Sequence, residues 1–200
     1  MNSQPFSENC YFGEWIGQII MLITIHGKTL ELTRGDVTHE ATDAIVNAAN
    51  SELSGGGGVD GSIHRAGGAK IMAETKRRYP NGCSTGTAVI SGAGDLQAQF
   101  VIHAVGPVWN EGQKNEAALL GNAYHDCLKL AVEYGCRSIS FPSISTGAYG
   151  YPFDQASHIA LGTVIEFLQT ATQPELVRFV LFDDKAYRVF KETLTALTTT

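Results

Sequence analysis

The sequence predicts an α/β fold built on a mixed, largely parallel sheet with helices on both faces. Two observations carry that expectation. Short β-rich runs alternate with longer segments of helical spacing, the pattern of βαβ units. The first two β-rich runs are separated by only three residues, His26-Gly27-Lys28, so they form a hairpin and add an antiparallel edge.

Taken in order, MLITI (21–25) and TLELTR (29–34) are the hairpin strands. DAIVNAA (43–49) is a short apolar run of the buried-strand type. A helix is expected from about Gly61 to Tyr79, closed by Pro80-Asn81-Gly82. TAVISGA (87–93) and QFVIHAV (99–105) are β-rich, and Gly106-Pro107 stops the second. Between Asn115 and Tyr134, apolar residues such as Leu119, Ala123, Cys127 and Leu130 recur near helical spacing, and Gly135 follows as a C′ residue. RSISFPSI (137–144) is a strand that runs into the loop SISTGAYGYP. Phe153 to Gln169 is a helix with Pro152 at its first turn. VRFVLFD (177–183) is the last strand and Lys185 to Leu197 the last helix.

The 200 residues suit one domain with a substantial core. A net charge of −6, from 14 basic and 20 acidic residues, argues against broad binding to nucleic acid or an anionic membrane. No run reaches the ~18 apolar residues of a membrane span. The most apolar segment, WIGQIIMLITI (15–25), is interrupted by Gln18. Cys10, Cys83, Cys127 and Cys136 form no C-x-x-C pair and no zinc-binding spacing, so they read as reduced thiols of a cytoplasmic protein without a metal site. Met1 to Glu14 holds no Lys or Arg, which excludes a signal peptide there. Residues 1–20 read as an N-terminal extension, appended or misannotated, with Met21 a natural start and 21–200 the domain. No amphipathic segment is left over, which favours a monomer.

In open α/β sheets, ligands sit beyond the carboxyl ends of the strands. Two loops leave strands there: NAANSELSGGGGVDG after the 43–49 strand, and SISTGAYGYP after the 137–141 strand. Both are rich in Gly and Ser and both run into helix N-termini, where free N–H groups and a partial positive charge favour anions. Facing each other, they would cradle a pyrophosphate through backbone donors, without lysine or arginine. Neither a G-K-[ST] P-loop nor a G-x-G-x-x-G fingerprint is present, which argues against ATP hydrolysis and hydride transfer.

GDVT (35–38), NAAN (47–50), GGGGVDGSIHRAGG (55–68), HAVGPVW (103–109) and ISTGAYGYP (144–152) together resemble the macrodomain family. More narrowly, they resemble its MacroD-type hydrolases, which include bacterial O-acetyl-ADP-ribose deacetylases. The resemblance covers roughly residues 21–197. It implies a three-layer α/β/α sandwich around a mixed, largely parallel sheet of six strands. It also implies an ADP-ribose site without metal or cofactor. Asp36, with Val37, would accept the adenine amino group, although Gly-Asp-x-Thr also reads as a helix cap or turn. Gly56, Gly57, Gly58 and Val59 would wrap the distal ribose and diphosphate. Ser145, Thr146, Gly147, Ala148 and Tyr149 would form the opposite wall. Phe182 would stack on the adenine, with core packing the equal alternative.

Asn50, Asp60 and His64 would carry the chemistry. Asp60 and His64 are four apart, so on a helix they share a face. The matching residues of the hydrolases bracket the distal ribose. Ester hydrolysis needs a positioned water, a site for oxyanion charge and a rigid hold on the sugar. Asp60 would act as general base, or only grip the ribose while a substrate phosphate positions the water. Its bland alternative is a helix N-cap. Asn50 would hold the ribose hydroxyls and orient the water, His64 would support Asp60, Asn47 would shape the loop through bonds to backbone, and His103 would be a structural strand residue. The expected substrates are O-acetyl-ADP-ribose and proteins mono-ADP-ribosylated on Asp or Glu. The competing reading is an ADP-ribose-binding module without catalysis.

Overall fold

The computed structural model describes residues 11–15 and 18–199, with side chains from Ile20 on. Eight strands make one mixed sheet: β1 Tyr11–Trp15, β2 Gln18–Ile25, β3 Lys28–Arg34, β4 Ala44–Ala48, β5 Thr87–Gly92, β6 Phe100–Val105, β7 Ser138–Phe141 and β8 Leu176–Leu181. Across the sheet they run β1-β2-β3-β8-β7-β4-β6-β5. The pairs from β3 through β8, β7 and β4 to β6 are parallel. Antiparallel pairs close both edges, β1 with β2 and β2 with β3 on one side, β5 with β6 on the other.

The sheet of six strands expected from the resemblance is corrected to eight. Seven strands were legible as β-rich runs. The eighth is β1, which lies inside the stretch read as an extension and pairs Tyr11 with Leu22 through Trp15 with Gln18. Cys10 lies outside the described residues; Cys83, Cys127 and Cys136 are free thiols.

Five helices flank the sheet: α1 Gly58–Gly67, α2 Ala69–Arg78, α3 Glu116–Glu133, α4 Phe153–Thr170 and α5 Asp184–Thr198. Strand alternation sorts the core into two layers. On β4, Ala44 and Val46 face the large cluster filled by α3, α4 and α5, including Tyr124, Leu161 and Phe190. Ile45 faces the other way, into a smaller cluster with Ile63 of α1 and Ile71 of α2. The result is an α/β/α sandwich.

One helix was expected over 61–79, and two are present. Gly68 has φ +74°, which ends α1 and caps α2 at once. The cause is a neighbour remote in sequence. The turn between β5 and β6 comes so close that Asp95 N–H donates to the Gly67 carbonyl at 3.0 Å, the group that would otherwise continue the helix. Among the described residues no helix is long and apolar enough to cross a membrane.

Candidate active site

The loops after β4 and β7 meet beyond the carboxyl ends of the parallel strands, as their composition predicts. They enclose two adjoining cavities of about 350 and 370 Å³. Gly58, Val59, Ser143 and Gly147 line both, so the two form one cleft. The first cavity gathers Asn50, Gly56, Gly57, Asp60, Ser145, Ala148 and Tyr149. The second gathers Asp36, Val37, Thr146 and Phe182. Of the residues expected to bind ligand or carry the chemistry, His64 alone borders neither cavity; it stands behind Asp60.

α1 supplies the anion-favouring end of the cleft. Its N-cap is Gly57, which has no side chain to cap the first turn, so the amides of Gly58 and Val59 keep their donors for a ligand. Asp60 is therefore not the N-cap. It occupies the third helical position, is 5 % exposed, and turns toward the sheet. Its Oδ1 accepts Asn47 Nδ2 at 2.7 Å and lies 3.3 Å from His64 Nε2, one helical turn on. Its Oδ2 faces the glycine loop: a Cβ on Gly56 would sit 3.1 Å from it. One oxygen is thus anchored from behind and the other is presented to the cleft.

Asn47 differs from the role expected of it, and Asn50 has a structural bond besides its place at the cavity. Asn47 does not shape the loop through backbone bonds. It lies on β4, fully buried, and its amide reaches Asp60 and His103 Nδ1, the latter at 3.2 Å. Alternation explains this: with Ala44 and Val46 turned to one layer, Asn47 points with Ile45 toward α1. Asn50 is the loop staple. Its Nδ2 donates to the Gly55 carbonyl at 2.8 Å, and its Oδ1 accepts Ser54 N–H at 3.1 Å. It still borders the first cavity from that position.

His103 is a buried strand residue, as expected, but not a bland one. It bridges Asn47 and Ser91 Oγ, the latter at 2.9 Å from Nε2. Burial pulls its imidazole down to about 3, and His64 nearby adds to the effect. On the facing wall, burial raises the Tyr149 hydroxyl above its usual value, with Glu52 and Asp60 contributing. Tyr149 is held by its own carbonyl, which accepts Trp109 N–H at 2.9 Å.

In the second cavity Asp36 is the cap that Gly-Asp-x-Thr allowed, and it stands at the cavity wall. Its Oδ1 caps the short 3₁₀ turn Val37–His39 by accepting Thr38 N–H at 2.9 Å, and it borders the cavity from there. Phe182 is 77 % exposed, which removes the core-packing alternative. Several lining residues went unread in the sequence: Ala48, Ala49, Gly106 and Ile144 in the first cavity, Ser62, Arg65, Phe153 and Asp183 in the second, and Ser143 in both. Arg65 adds a cation at the edge of a cleft whose diphosphate cradle was expected to consist of backbone donors alone. It lies one turn past Gly61 and donates to Ser62 Oγ at 3.0 Å. Helical spacing from Gly58 and Ser62 was the signal that could have found it. Among the described residues, no group of three or more His, Cys, Asp or Glu side chains could hold a metal ion.

With the cleft described, comparison with known proteins places it. The Macro domain family model matches residues 46–160, the stretch that supplies every residue lining the first cavity. An O-acetyl-ADP-ribose deacetylase of Salmonella newport is 51 % identical over 168 residues, covering 83 % of this chain and 94 % of that protein. A macro domain-containing protein of Caldanaerobacter subterraneus subsp. tengcongensis is 53 % identical over 167 residues, covering 82 % and 95 %. Among solved structures, the Oceanobacillus iheyensis macrodomain with ADP superposes with a TM-score of 0.86 at 43 % identity, covering 91 % of this chain and 98 % of that one. The Trypanosoma brucei macrodomain in complex with ADP-ribose gives 0.77 at 39 % identity, covering 82 % and 68 %. Sequence and backbone agree on one ancestry, and the chain belongs to the macro domain family.

Proposed function

We propose that this protein hydrolyses acyl esters of ADP-ribose, releasing acetate from O-acetyl-ADP-ribose and the free carboxylate from Asp or Glu side chains that carry mono-ADP-ribose. The observation that carries the reading is the Asp60 carboxylate. It is nearly buried, fixed through Oδ1 by Asn47 and next to His64, and offers Oδ2 to a cavity rimmed by bare glycine backbone. A cleft that only held ADP-ribose would need no such backing for a single oxygen. The relative of Salmonella newport, at 51 % identity, has the deacetylase activity in its name.

In this reading each part of the ligand has its own stretch of the cleft. The adenine end lies with Phe182 and Asp36, whose acceptor oxygen suits an exocyclic N–H₂ donor. The diphosphate lies along the amides at the start of α1, where the helix dipole favours it. The distal ribose lies beside Asp60 and Tyr149. Asp60 Oδ2 takes a proton from water as the water oxygen bonds to the acyl carbon. The ester C–O bond then breaks, and the ribose oxygen leaves with the proton that Asp60 had accepted, which returns Asp60 to its carboxylate form. Loop amides offset the negative charge that develops.

The test is turnover of O-acetyl-ADP-ribose followed by acetate release. Asp60→Asn keeps the shape and the anchoring acceptor but cannot take a proton. It is expected to lower kcat by about 10²–10⁴-fold while ADP-ribose affinity by calorimetry stays within a few-fold. Substantial turnover in that variant would leave Asp60 as a ribose grip and shift the base to the substrate's phosphate. Tight ADP-ribose binding by the unmodified protein, with no acetate released, would make it a binding module.

A further inference from the structure

Behind Asp60 runs a chain of buried polar groups that crosses three neighbouring strands. Asn47 is on β4, His103 on β6 and Ser91 on β5, and all face the α1 side of the sheet, between 0 and 1 % exposed. Ser91 Oγ lies 3.0 Å from the Gly92 carbonyl and 2.9 Å from His103 Nε2; with its one proton given to the carbonyl it can only accept from the ring, which requires the ring proton on Nε2. With that proton on Nε2, the Nδ1 of His103 is a bare acceptor, and it takes one N–H of Asn47 at 3.2 Å. The other N–H of Asn47 goes to Asp60 Oδ1 at 2.7 Å. Every proton in the chain has one home.

The alternative tautomer breaks it. A proton on Nδ1 of His103 would face the Asn47 N–H₂, and the carboxamide would have to turn over. Its oxygen would then lie against Asp60 Oδ1, acceptor to acceptor. In this orientation Asn47 Oδ1 has no hydrogen-bond partner among the described residues. Here both N–H groups are used and the oxygen is sacrificed.

We propose that His103 and Ser91 position the Asp60 carboxylate through Asn47, by holding one imidazole tautomer that keeps the Asn47 N–H₂ turned toward Asp60. The inference rests on the reading of Asp60 as the group that acts on water. Neither His103 nor Ser91 borders the cleft. They are positioning residues, and their loss should appear in kcat rather than in binding.

Two measurements test this. The first needs no variant: ¹⁵N spectra of histidine-labelled protein should show His103 with a bare Nδ1 and a protonated Nε2 from pH 5 to 9. A protonated Nδ1 overturns the proposal. The second compares His103→Leu, His103→Asn and Ser91→Ala on O-acetyl-ADP-ribose. Leucine removes the acceptor and should lower kcat about tenfold or more, with KM and ADP-ribose affinity within twofold. Asparagine places an oxygen near the Nδ1 position and should restore most of kcat. Ser91→Ala should lower kcat severalfold at unchanged KM. Equal loss in the Leu and Asn variants, or a loss that appears in KM, overturns the positioning role. Undiminished turnover in Asp60→Asn would defeat the reading of Asp60 instead, and the tautomer spectrum then decides the chain behind it.

Discussion

Phe182 shows how much one side chain at a strand end can carry. It follows β8 directly, where continued alternation would have set it on the side of the buried Val180, in the α1 layer. At 77 % exposure a phenylalanine forfeits most of its burial energy, and that is understandable where a flat ligand covers it. Stacking of a base on an aromatic ring contributes about 1–3 kcal/mol. Phe182→Ala should therefore weaken ADP-ribose binding by roughly 10-fold or more in calorimetry. Its thermal unfolding should shift little, because the ring contributes little to the core. Asp60 makes the complementary point. An aspartate near a helix start is usually a cap, yet here glycine holds that position and the carboxylate is turned inward.

At the scale of the element, the glycine run after β4 divides into separate physical needs. Gly57 has open space where a Cβ would project, and it borders the cavity, so a side chain there would occupy the ligand's place. Gly61 is different. A Cβ on it would lie 2.5 Å from the Gly56 carbonyl oxygen, so the loop lies directly against the first turn of α1. Gly61→Ala must push the loop off the helix. Overpacking of this kind costs about 1–3 kcal/mol, to be read from urea denaturation. The same displacement should weaken ADP-ribose binding at least several-fold, because Gly56 and Gly57 move with the loop. The opposite wall has its own brace. Glu116 at the start of α3 is buried and accepts the amides of Asn110 at 2.8 Å and Lys114 at 2.6 Å. Those bonds hold the loop after β6, and Trp109 from that loop holds Tyr149. Both loops were visible in the sequence through Gly and Ser composition. Their braces were not, because Glu116 reads as an ordinary first-turn acid until the folded loop brings amides to it.

At the scale of the whole molecule, the buried imidazole of His103 ties stability to pH. Its value falls from an ordinary ~6.5 to about 3 on folding, so the native state favours the neutral ring. The unfolded chain takes up that proton first. The stabilisation is thus fully present above pH ~6.5 and is lost as pH falls from there toward 3, amounting to about 2 kcal/mol by pH 5. His103→Asn removes the titration, so its loss of stability between pH 7.5 and 5 should be smaller than the wild type's by about that amount in parallel denaturations. The strand-and-helix order, the two-faced sheet and the place of the cleft were legible because they follow from local causes: side-chain alternation, helical spacing, and glycine where a turn or a ligand needs bare backbone. The end of α1 at Gly67 and Gly68 was not legible, since the turn carrying Asp95 imposes it from more than twenty residues away. By itself the sequence determined the layers, the two cradle loops and the residue types that reach the cleft. Tertiary structure alone decided which asparagine backs Asp60 and which staples the loop, that Phe182 is left bare, and that Ser91 and His103 stand in line behind the carboxylate. The reason is physical: hydrogen-bond partners are chosen by what packing brings within about 3 Å, and β4, β5, β6 and α1 meet there only in the folded chain.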